Sequence, residues 1–568
     1  MKKNLQFFLI ALFLVHSSQS WAQNCITPNK AADSVQLARG AANNLFNKDN
    51  ANKKDIEEGI QILNQALRFL DSAPINRLGE SNFYLKRRKA DVTRDLVYAY
   101  ALNHQYEQAI TALNQQFNEG ASAFVLEMAE DSVFNQLNSD SRFAGLMAKY
   151  KARIALWGGT AFKTPLQPDL PEADKIAGLS LLWTQARANF VYFDHVSQDW
   201  NRTYVSYIPK VQATKSTLEY YKVLQKFYAQ LHDGHTNVYV PNELSREVNS
   251  RPPITTELIE GRVFITAVSS DSLQKTGVVP GLEIIKIDGH PVKGYAEAYI
   301  MPYQSSSTTQ DLDIRTYSYF LLAGGASKPV ALELKDQKGH SFNRYISRSG
   351  YPKRKLVPAM EYREIDHIGY LAIHNFEDNR IVKQFDSLFA EIAKTKGLII
   401  DIRNNGGGDS GIGNQILASF TDKPFELFAS RHVQYDALIG SPQIDEPLWA
   451  NEGIAVQSAR GKQFYSNSVV LLINAATFSA AEDFAVAFDY MRRGKLIGQP
   501  TGGSTGQPLH FDLPGGGTAR ICARRETYPN GREFVGVGVQ PEIIVNKTIN
   551  DLYTDTDSIL KKALDILK

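Results

Sequence analysis

The sequence predicts a multidomain α/β protein, and three patterns along the chain support this fold class. Apolar residues recur every three or four positions between about residues 26 and 155, which is typical of amphipathic helices. Short strand-like runs between glycine turns fill residues 252–350, and strands alternate with helices over roughly the last 200 residues. A chain of 568 residues has room for about three to five domains.

The composition fits a folded protein and excludes some functions. Hydrophobic residues make up 43% of the chain, which is enough for ordinary cores. The formal net charge is only +2, so the chain lacks the broad basic field that favours nucleic acid as a partner. With only Cys25 and Cys522 present, we expect neither a disulfide framework nor a structural zinc site.

Residues 1–22 have the layout of a secretory signal peptide. Two lysines precede an apolar run over residues 5–15, and small residues follow at Ser20 and Ala22. The run is too short to span a bilayer, which takes about 20 residues. The bulky residue before Cys25 argues against a lipoprotein anchor, and an apolar first helix of the mature fold is the other interpretation. We therefore expect a periplasmic or secreted protein with no membrane span in its mature chain.

Helical patterns occupy two segments of the first half. Within residues 23–157, patterns over 56–70 and 106–117 resemble degenerate tetratricopeptide-type hairpins with an irregular period, so we predict an N-terminal all-α (TPR-like) domain. Such hairpins recruit partners or pack against a neighbouring domain. Glycines and prolines mark a linker over 158–171, and residues 172–250 read as a second helical segment, a cap subdomain.

The pattern changes to short strands over residues 251–352. One strand is predicted over 262–268, a glycine-rich turn over 277–281, and a second strand over 282–287 before an Asp-Gly turn. This order resembles a PDZ domain, a module that captures peptide ends by strand addition. The simpler interpretation is a small β domain with an Asp-Gly hairpin.

Residues 353–568 are predicted to form an α/β core in which helices cover a sheet. The predicted strands cover residues 367–376, 398–402 and 469–473, and the predicted helices cover residues 381–393 and 480–491.

Ser479 stands where the last of these strands passes through a short turn into a helix. Such a junction exposes a hydroxyl, and the helix N-terminus adds a positive partial charge. The amide of Ala480 is then available to a developing oxyanion. Ser479 and Glu482 also fit a capping box, in which the two side chains satisfy helix amides. The local sequence leaves both roles open.

A second loop favours the nucleophile. An apolar strand ends in three glycines, 406–408, whose amides can approach a ligand closely and form an anion-binding nest. A phosphate loop is the rival interpretation, but no Gly-Lys-Ser/Thr sequence follows. We expect Asp401 and Arg403 to support this loop rather than react.

Four motifs occur in a recognisable order, at residues 401–408, 474–482, 498–503 and 538–542. They resemble the core motifs of the tail-specific, or C-terminal processing, peptidase family, with the PDZ-like segment upstream. The resemblance covers about residues 170–550 and implies a core similar to the Clp-protease/crotonase fold and hydrolysis of peptide bonds. It also implies Ser479 as nucleophile and an oxyanion hole formed by the amide of Ala480 and one amide of residues 406–408, with Gly407 as the first candidate and Gly408 as the next.

The family activates its serine in two ways. One branch has a lysine in a Gly-x-x-Thr-x-Gly-Lys-Gly loop; here the lysine position holds Ser504, and Lys495 maps elsewhere. The other branch resembles the tricorn peptidase core and interphotoreceptor retinoid-binding protein, with a histidine upstream of the PDZ domain. By that resemblance His235 is the general base, a role that suits imidazole because its pKa lies near working pH.

The group that orients His235 stays open. By resemblance to tricorn-like enzymes, Glu533 is the best match for a glutamate in the catalytic network. Those enzymes have a serine directly before the histidine, where this chain has Gly234. Asp233 is an alternative orienting group, and His510 is an alternative base if His235 is remote from Ser479.

Together these patterns predict a serine peptidase that acts on peptides or proteins without a cofactor or metal. His232 lies three residues before His235 and hints at a metal pair on a shared helix face, but no carboxylate or cysteine group completes it. The alternatives are a ligand- or peptide-binding protein on the same fold and a scaffold whose catalytic network has decayed. The sequence predicts no oligomeric state.

Overall fold

The computed structural model describes residues 28–46, 51–80, 83–118, 131–157, 160–352, 357–434, 448–460 and 464–568. The predicted signal peptide and Cys25 lie outside these ranges. The chain forms two compact units, one of Met1–Ala161 with Ala450–Gly453 and one of Phe162–Trp449 with Ile454–Lys568. Within the described ranges, every helix is too short or too polar to cross a bilayer.

The first unit is helical in its described residues except Ala450–Gly453, which lie in a strand. Its helices are α1 (Pro28–Phe46), α2 (Lys53–Asp71), α3 (Ala73–Glu80), α4 (Phe83–Leu102), α5 (Tyr106–Asn118) and α6 (Ser141–Trp157). In α2, Asn52 caps the first turn, and one face from Ile56 to Leu70 is buried, which confirms the predicted stripe. The resemblance of these helices to tetratricopeptide hairpins stays a prediction.

The second unit begins with α7 (Glu172–Asn189), α8 (Trp200–Gln212) and α9 (Thr217–Ala229). Aromatic side chains hold these helices together; the Trp200 and Phe227 rings, for example, lie 4.4 Å apart. The prediction of a helical segment over residues 172–250 is wrong near its end. Strand β1 (Asn237–Tyr239) follows α9 after a turn in which His232 has a φ of 49°, so His232 and His235 share no helix face.

The next region folds around its own apolar core. An antiparallel sheet, in the order β2-β3-β4-β6-β7 with β5 beside β4, covers that core on one side. Its elements are β2 (Ile254–Ile259), β3 (Arg262–Val268), α10 (Asp271–Lys275), β4 (Glu283–Ile287), β5 (His290–Pro291), α11 (Val292–Tyr299), α12 (Thr309–Asp313), β6 (Val330–Lys335) and β7 (Ser341–Ile346). A π-helix over Ile314–Phe320 extends α12. The two predicted strands of this β domain are confirmed, and its likeness to a PDZ domain stays a prediction.

The remaining elements form the predicted α/β core. They are β8 (Met360–Ile365), β9 (Ile368–Ile373), α13 (Arg380–Ile392), β10 (Gly397–Asp401), α14 (Ser410–Leu417), β11 (Phe425–Gln434), β12 (Leu448–Gln457), β13 (Ser468–Ile473), α15 (Ala480–Tyr490), β14 (Gly494–Gly498), β15 (Pro508–Asp512), β16 (Thr518–Cys522), β17 (Arg525–Thr527), β18 (Ile543–Ile544), α16 (Ile549–Thr554) and α17 (Ser558–Leu567).

The central sheet has the order β18-β14-β13-β10-β9-β8, and all neighbours except β8 and β9 run parallel. Strand β10 is buried along its whole length, which explains its continuous apolar sequence. Because β10, β13 and β14 are parallel neighbours, the loops that follow them meet at one edge of the sheet. A smaller sheet, β1-β16-β15, brings the segment before β1 towards the core.

Candidate active site

Ser479 occupies a sharp turn between β13 and α15. Its backbone has a φ of 58°, a conformation that residues other than glycine seldom adopt and that the surrounding structure must hold. The Ser479 amide donates to the carbonyl of Ser504 at 3.1 Å, and the amide of Glu482 donates to the carbonyl of Ser479 at 2.7 Å. These bonds fix the turn, so the hydroxyl stands at the beginning of a buried helix.

His235 lies in the turn between α9 and β1, and its ring reaches the serine. Nε2 is 2.9 Å from Ser479 Oγ, and Nδ1 is 2.9 Å from Ser504 Oγ. The imidazole is only 3% exposed and stacks on Phe478, with 4.9 Å between ring centroids. With its proton on Nδ1, the ring donates to Ser504 and accepts the Ser479 O–H at Nε2.

Burial, together with the nearby guanidinium groups of Arg520 and Arg315, lowers the pKa of His235 well below its usual value. The ring is therefore neutral at neutral pH, the state in which imidazole accepts a proton. Its backbone amide donates to Asp233 Oδ1 at 3.0 Å. Asp233 thus holds the turn rather than the ring, and burial raises the pKa of its carboxyl.

The sequence did not single out Ser504 as a partner of His235. The Ser504 side chain fits beside the His235 ring because the preceding residue, Gly234, has no side chain. A Cβ added to Gly234 would lie 2.9 Å from Ser504 Oγ and 2.8 Å from the Phe478 ring. A serine before the histidine would therefore displace Ser504. The signal in the sequence was that two positions differ from the motifs of the resembled family. Gly234 stands where the tricorn-like branch has serine, and Ser504 stands where the other branch has lysine.

Glu482 ties the nucleophile turn to the loop that carries Ser504. Its carboxyl accepts hydrogen bonds from Thr501 Oγ1 at 2.5 Å and from the amides of Gly503, Ser504 and Ser479 at 2.7, 2.8 and 3.3 Å. Burial raises the pKa of Glu482 to about 8. The capping partner suggested by the sequence thus joins two loops as well as one helix turn.

The predicted oxyanion donors differ in their availability. The Gly407 amide donates to Asn405 Oδ1 at 2.9 Å, and a Cβ there would lie 2.7 Å from that of Ser479. Gly407 therefore serves the close approach of the two loops. Within the described ranges, the amides of Gly408 and Ala480 donate to no protein acceptor. Ala480 directly follows Ser479, and Gly408 lines the same cleft as Ser479.

Several other candidate residues lie away from this network. Glu533, the predicted member of the catalytic network, accepts a hydrogen bond from Arg525 Nε at 3.0 Å, and the side chain beside His235 Nδ1 is that of Ser504. His232 is exposed, and His510 is exposed on β15. Among the described residues, no group of three histidine, cysteine, aspartate or glutamate side chains is arranged to hold a metal.

Ser479 and His235 line a cleft of about 1770 Å³ between the core and the β domain, both within the second unit. Sites for small ligands usually measure about 300–1000 Å³, so this cleft is large enough for a length of polypeptide. Tyr295, Tyr299 and Tyr319 of the β domain are among the residues that line the cleft.

Comparison with known proteins shows similarity to peptidases. Residues 367–545 match the model described as Peptidase family S41. The C-terminal processing peptidase of Tetradesmus obliquus, a chloroplastic protein, is 23% identical over 393 residues, which cover 67% of this chain and 78% of that one. A carboxy-terminal-processing protease of Bartonella bacilliformis is 24% identical over 316 residues, 53% of this chain and 62% of that one.

The fold is also found among solved structures. Mature CPAF in complex with lactacystin superposes with a TM-score of 0.55 at 16% identity, covering 70% of this chain and 98% of that chain. The chain spans about half the length of further curated relatives.

Proposed function

We propose that the chain is a serine-type peptidase of family S41, whose model matches residues 367–545, with Ser479 as its nucleophile and His235 as its general base. The observation that carries this proposal is the 2.9 Å contact between His235 Nε2 and Ser479 Oγ. The resemblance predicted from the four sequence motifs is confirmed at the level of the family.

The proposed reaction has two halves. Ser479 Oγ attacks the scissile carbonyl carbon while His235 Nε2 takes the hydroxyl proton, and the amides of Ala480 and Gly408 donate to the resulting oxyanion. The C–N bond then breaks, the amine leaves with the proton from His235, and an acyl-enzyme remains. Water, deprotonated by the same nitrogen, attacks the ester and releases Ser479 with its proton.

Ser504 takes the place that a carboxylate holds in other catalytic triads. Its hydroxyl oxygen accepts a hydrogen bond from Nδ1–H of His235, and this bond fixes the orientation and the tautomer of the ring. A hydroxyl carries no charge, so it orients the imidazole without stabilising the imidazolium as a carboxylate would. Ser504 is therefore a positioning residue in this proposal, in place of Glu533.

The substrate is proposed to be a protein or peptide held partly by the β domain. The relatives named above are called carboxy-terminal processing enzymes, and the β domain forms one wall of the cleft beside Ser479. We propose that this PDZ-like domain presents the carboxyl-terminal part of a polypeptide to the nucleophile. The signal-peptide pattern of residues 1–22 supports a periplasmic or secreted location.

A fluorophosphonate probe tests the central assignment, because it labels only a serine that an adjacent base activates. The wild-type chain should be labelled at Ser479 and should hydrolyse a quenched peptide library, and Ser479→Ala should do neither. Ser387→Ala is the matched control, because Ser387 is exposed on α13. Hydrolysis by purified Ser479→Ala would overturn the assignment, and an unlabelled wild-type chain would favour the binding-protein alternative.

A further inference from the structure

Arg520 presents a fixed guanidinium group beside the catalytic pair. It lies on β16, opposite Asn237 of β1. Nε and Nη2 donate to Asn237 Oδ1 at 3.0 and 2.8 Å, and Nη2 also approaches the carbonyl of Gly234 at 3.3 Å. One edge of the guanidinium is therefore held by protein, and little side-chain freedom remains to be lost on binding a ligand.

Arg520 has no carboxylate partner among the described residues, whereas two neighbouring arginines in the cleft each form an ion pair. Arg315 Nε lies 2.7 Å from Asp311 Oδ2, and Arg524 forms an ion pair with Glu526. For Arg520, the described residues contain no carboxylate within 4.0 Å and no acceptor for Nη1. The nearby carboxylate of Asp233 is engaged by the His235 amide and by Thr236 Oγ1 at 3.0 and 2.8 Å.

Arg520 also lies close to the point of bond cleavage. It lines the same cleft as Ser479 and His235, and it touches the carbonyl of the residue that precedes His235. A substrate group that reaches Arg520 therefore lies in the same cleft as the scissile bond, beside the turn that carries His235.

We propose that Arg520 determines specificity by binding a carboxylate of the peptide substrate near the scissile bond, with Nη1 as the free donor. The carboxylate belongs either to an Asp or Glu side chain or to the end of the peptide. The proposal rests on the proposed function of Ser479 and His235, and it adds the chemical class of residue that the cleft selects. A hydrogen bond from a charged guanidinium nitrogen favours a carboxylate over its amide, because the acceptor is then charged as well.

Such a carboxylate affects the rate as well as the affinity. The positive charge of Arg520 opposes the imidazolium that His235 becomes in the transition state, and Arg315 acts in the same sense. Arg315 already has Asp311 as a partner, and Asp233 is the other charged group at this turn. A substrate carboxylate on Arg520 offsets the opposing charge when the imidazolium forms, so part of its effect should fall on kcat.

The test uses quenched peptides that differ only by Glu, Gln or Ala at each position in turn, each with a free or an amidated carboxyl end. For the wild-type chain, Glu should exceed Gln in kcat/KM by about 10- to 100-fold at one position, or the free end should exceed the amide by that factor. Arg520→Gln should abolish the preference, and Arg520→Lys should keep part of it. Arg202→Gln, a change at a side chain that is 90% exposed, should keep it fully.

Binding to Ser479→Ala, measured by fluorescence anisotropy, separates this proposal from the proposed function. Tighter binding of the acidic peptides that disappears in Ser479→Ala/Arg520→Gln supports the subsite even if the wild-type chain cleaves nothing. Equal cleavage and equal binding of Glu and Gln peptides at every position, with both carboxyl ends, overturns it. If the Arg520 variants fail to fold, the wild-type comparison of Glu with Gln decides alone.

Discussion

The two halves of the candidate site are built in different ways. The nucleophile half consists of the loops after β10, β13 and β14, which follow neighbouring strands of one buried sheet. The base half is the turn around His235, 244 residues away from Ser479 along the chain. Backbone pairing therefore fixes the first half, whereas contacts between distant segments fix the second, and we expect the second to be easier to perturb.

Polar contacts from the β domain hold the base half. Ser305 Oγ accepts the Asp233 amide at 3.1 Å, and Ser307 Oγ accepts the Gly234 amide at 3.1 Å. Thr308 Oγ1 donates to the carbonyl of Gly502 at 2.8 Å, next to the loop of Ser504. One segment before α12 thus supports both the turn of the base and the loop that orients it.

Removal of the base should have the largest effect. His235→Gln should lower kcat by about 10²–10⁴-fold, the usual contribution of a general base, without changing the melting temperature much. Steady-state hydrolysis and circular dichroism measure the two quantities. His510→Gln is the companion variant, because His510 was the alternative base and is exposed on β15; an equal loss there would reverse the assignment.

Ser504→Ala should have the next largest effect. It leaves the Nδ1–H of a buried ring without its acceptor, at a cost of about 1–3 kcal/mol, so we expect kcat to fall by about 10- to 100-fold. The KM of a short peptide should change little, because Ser504 positions the base. Ser387→Ala serves again as the exposed control. An unchanged kcat would mean that Ser504 does not orient the ring.

Ser307→Ala tests the support from the β domain. The change removes the hydrogen bonds of Ser307 Oγ with the Gly234 amide at 3.1 Å and with Asp233 Oδ2 at 3.4 Å. Since one such bond is worth about 1 kcal/mol, kcat and the rate of fluorophosphonate labelling should both fall by at least about fivefold. Ser347→Ala, an exposed hydroxyl in the same domain, is the matched control. If Ser307→Ala and Ser347→Ala behave alike, the contact with the β domain does not support the turn around His235, and the proposed difference between the two halves of the site is wrong.

The smallest effect concerns pH. Burial, with Arg520 and Arg315 nearby, lowers the pKa of His235, and Asp233 is the carboxylate at the same turn. The base therefore stays neutral as pH falls through about 6.5, and kcat/KM should keep its plateau there. The acid limb should lie below that value in a pH–rate profile; a limb at or above it contradicts the lowered pKa.

The same shift affects stability with a definite sign. The folded pKa of His235 lies below the unfolded one, so its contribution to the free energy of unfolding is complete above about pH 6.5 and is lost as pH falls towards the folded value. Urea unfolding of the wild-type chain and of His235→Gln over this range measures the difference.

The sequence predicted the nucleophile half well because its signals are local. Apolar strands, glycine turns and a helix start lie within a few residues of Ser479, and each appears at or near its predicted position. The base half depended on resemblance. Ser504 was not recognised because its role arises from the space left by Gly234, across 270 residues of chain. The engagement of Gly407 by Asn405 depends on one side-chain rotamer, which no pattern of residues reveals.

The separation of His235 from Ser479 also sets the order in which synthesis brings the parts of the candidate site together. A ribosome releases the base first, then the β domain, and the nucleophile last. The turn around His235 gains its contacts with Ser305, Ser307 and Ser479 only after those segments have been made. A growing or partly unfolded chain therefore carries both groups without joining them. Under the proposed assignment, the order of segments in the fold delays hydrolysis until the segment of Ser479 has been made and has folded.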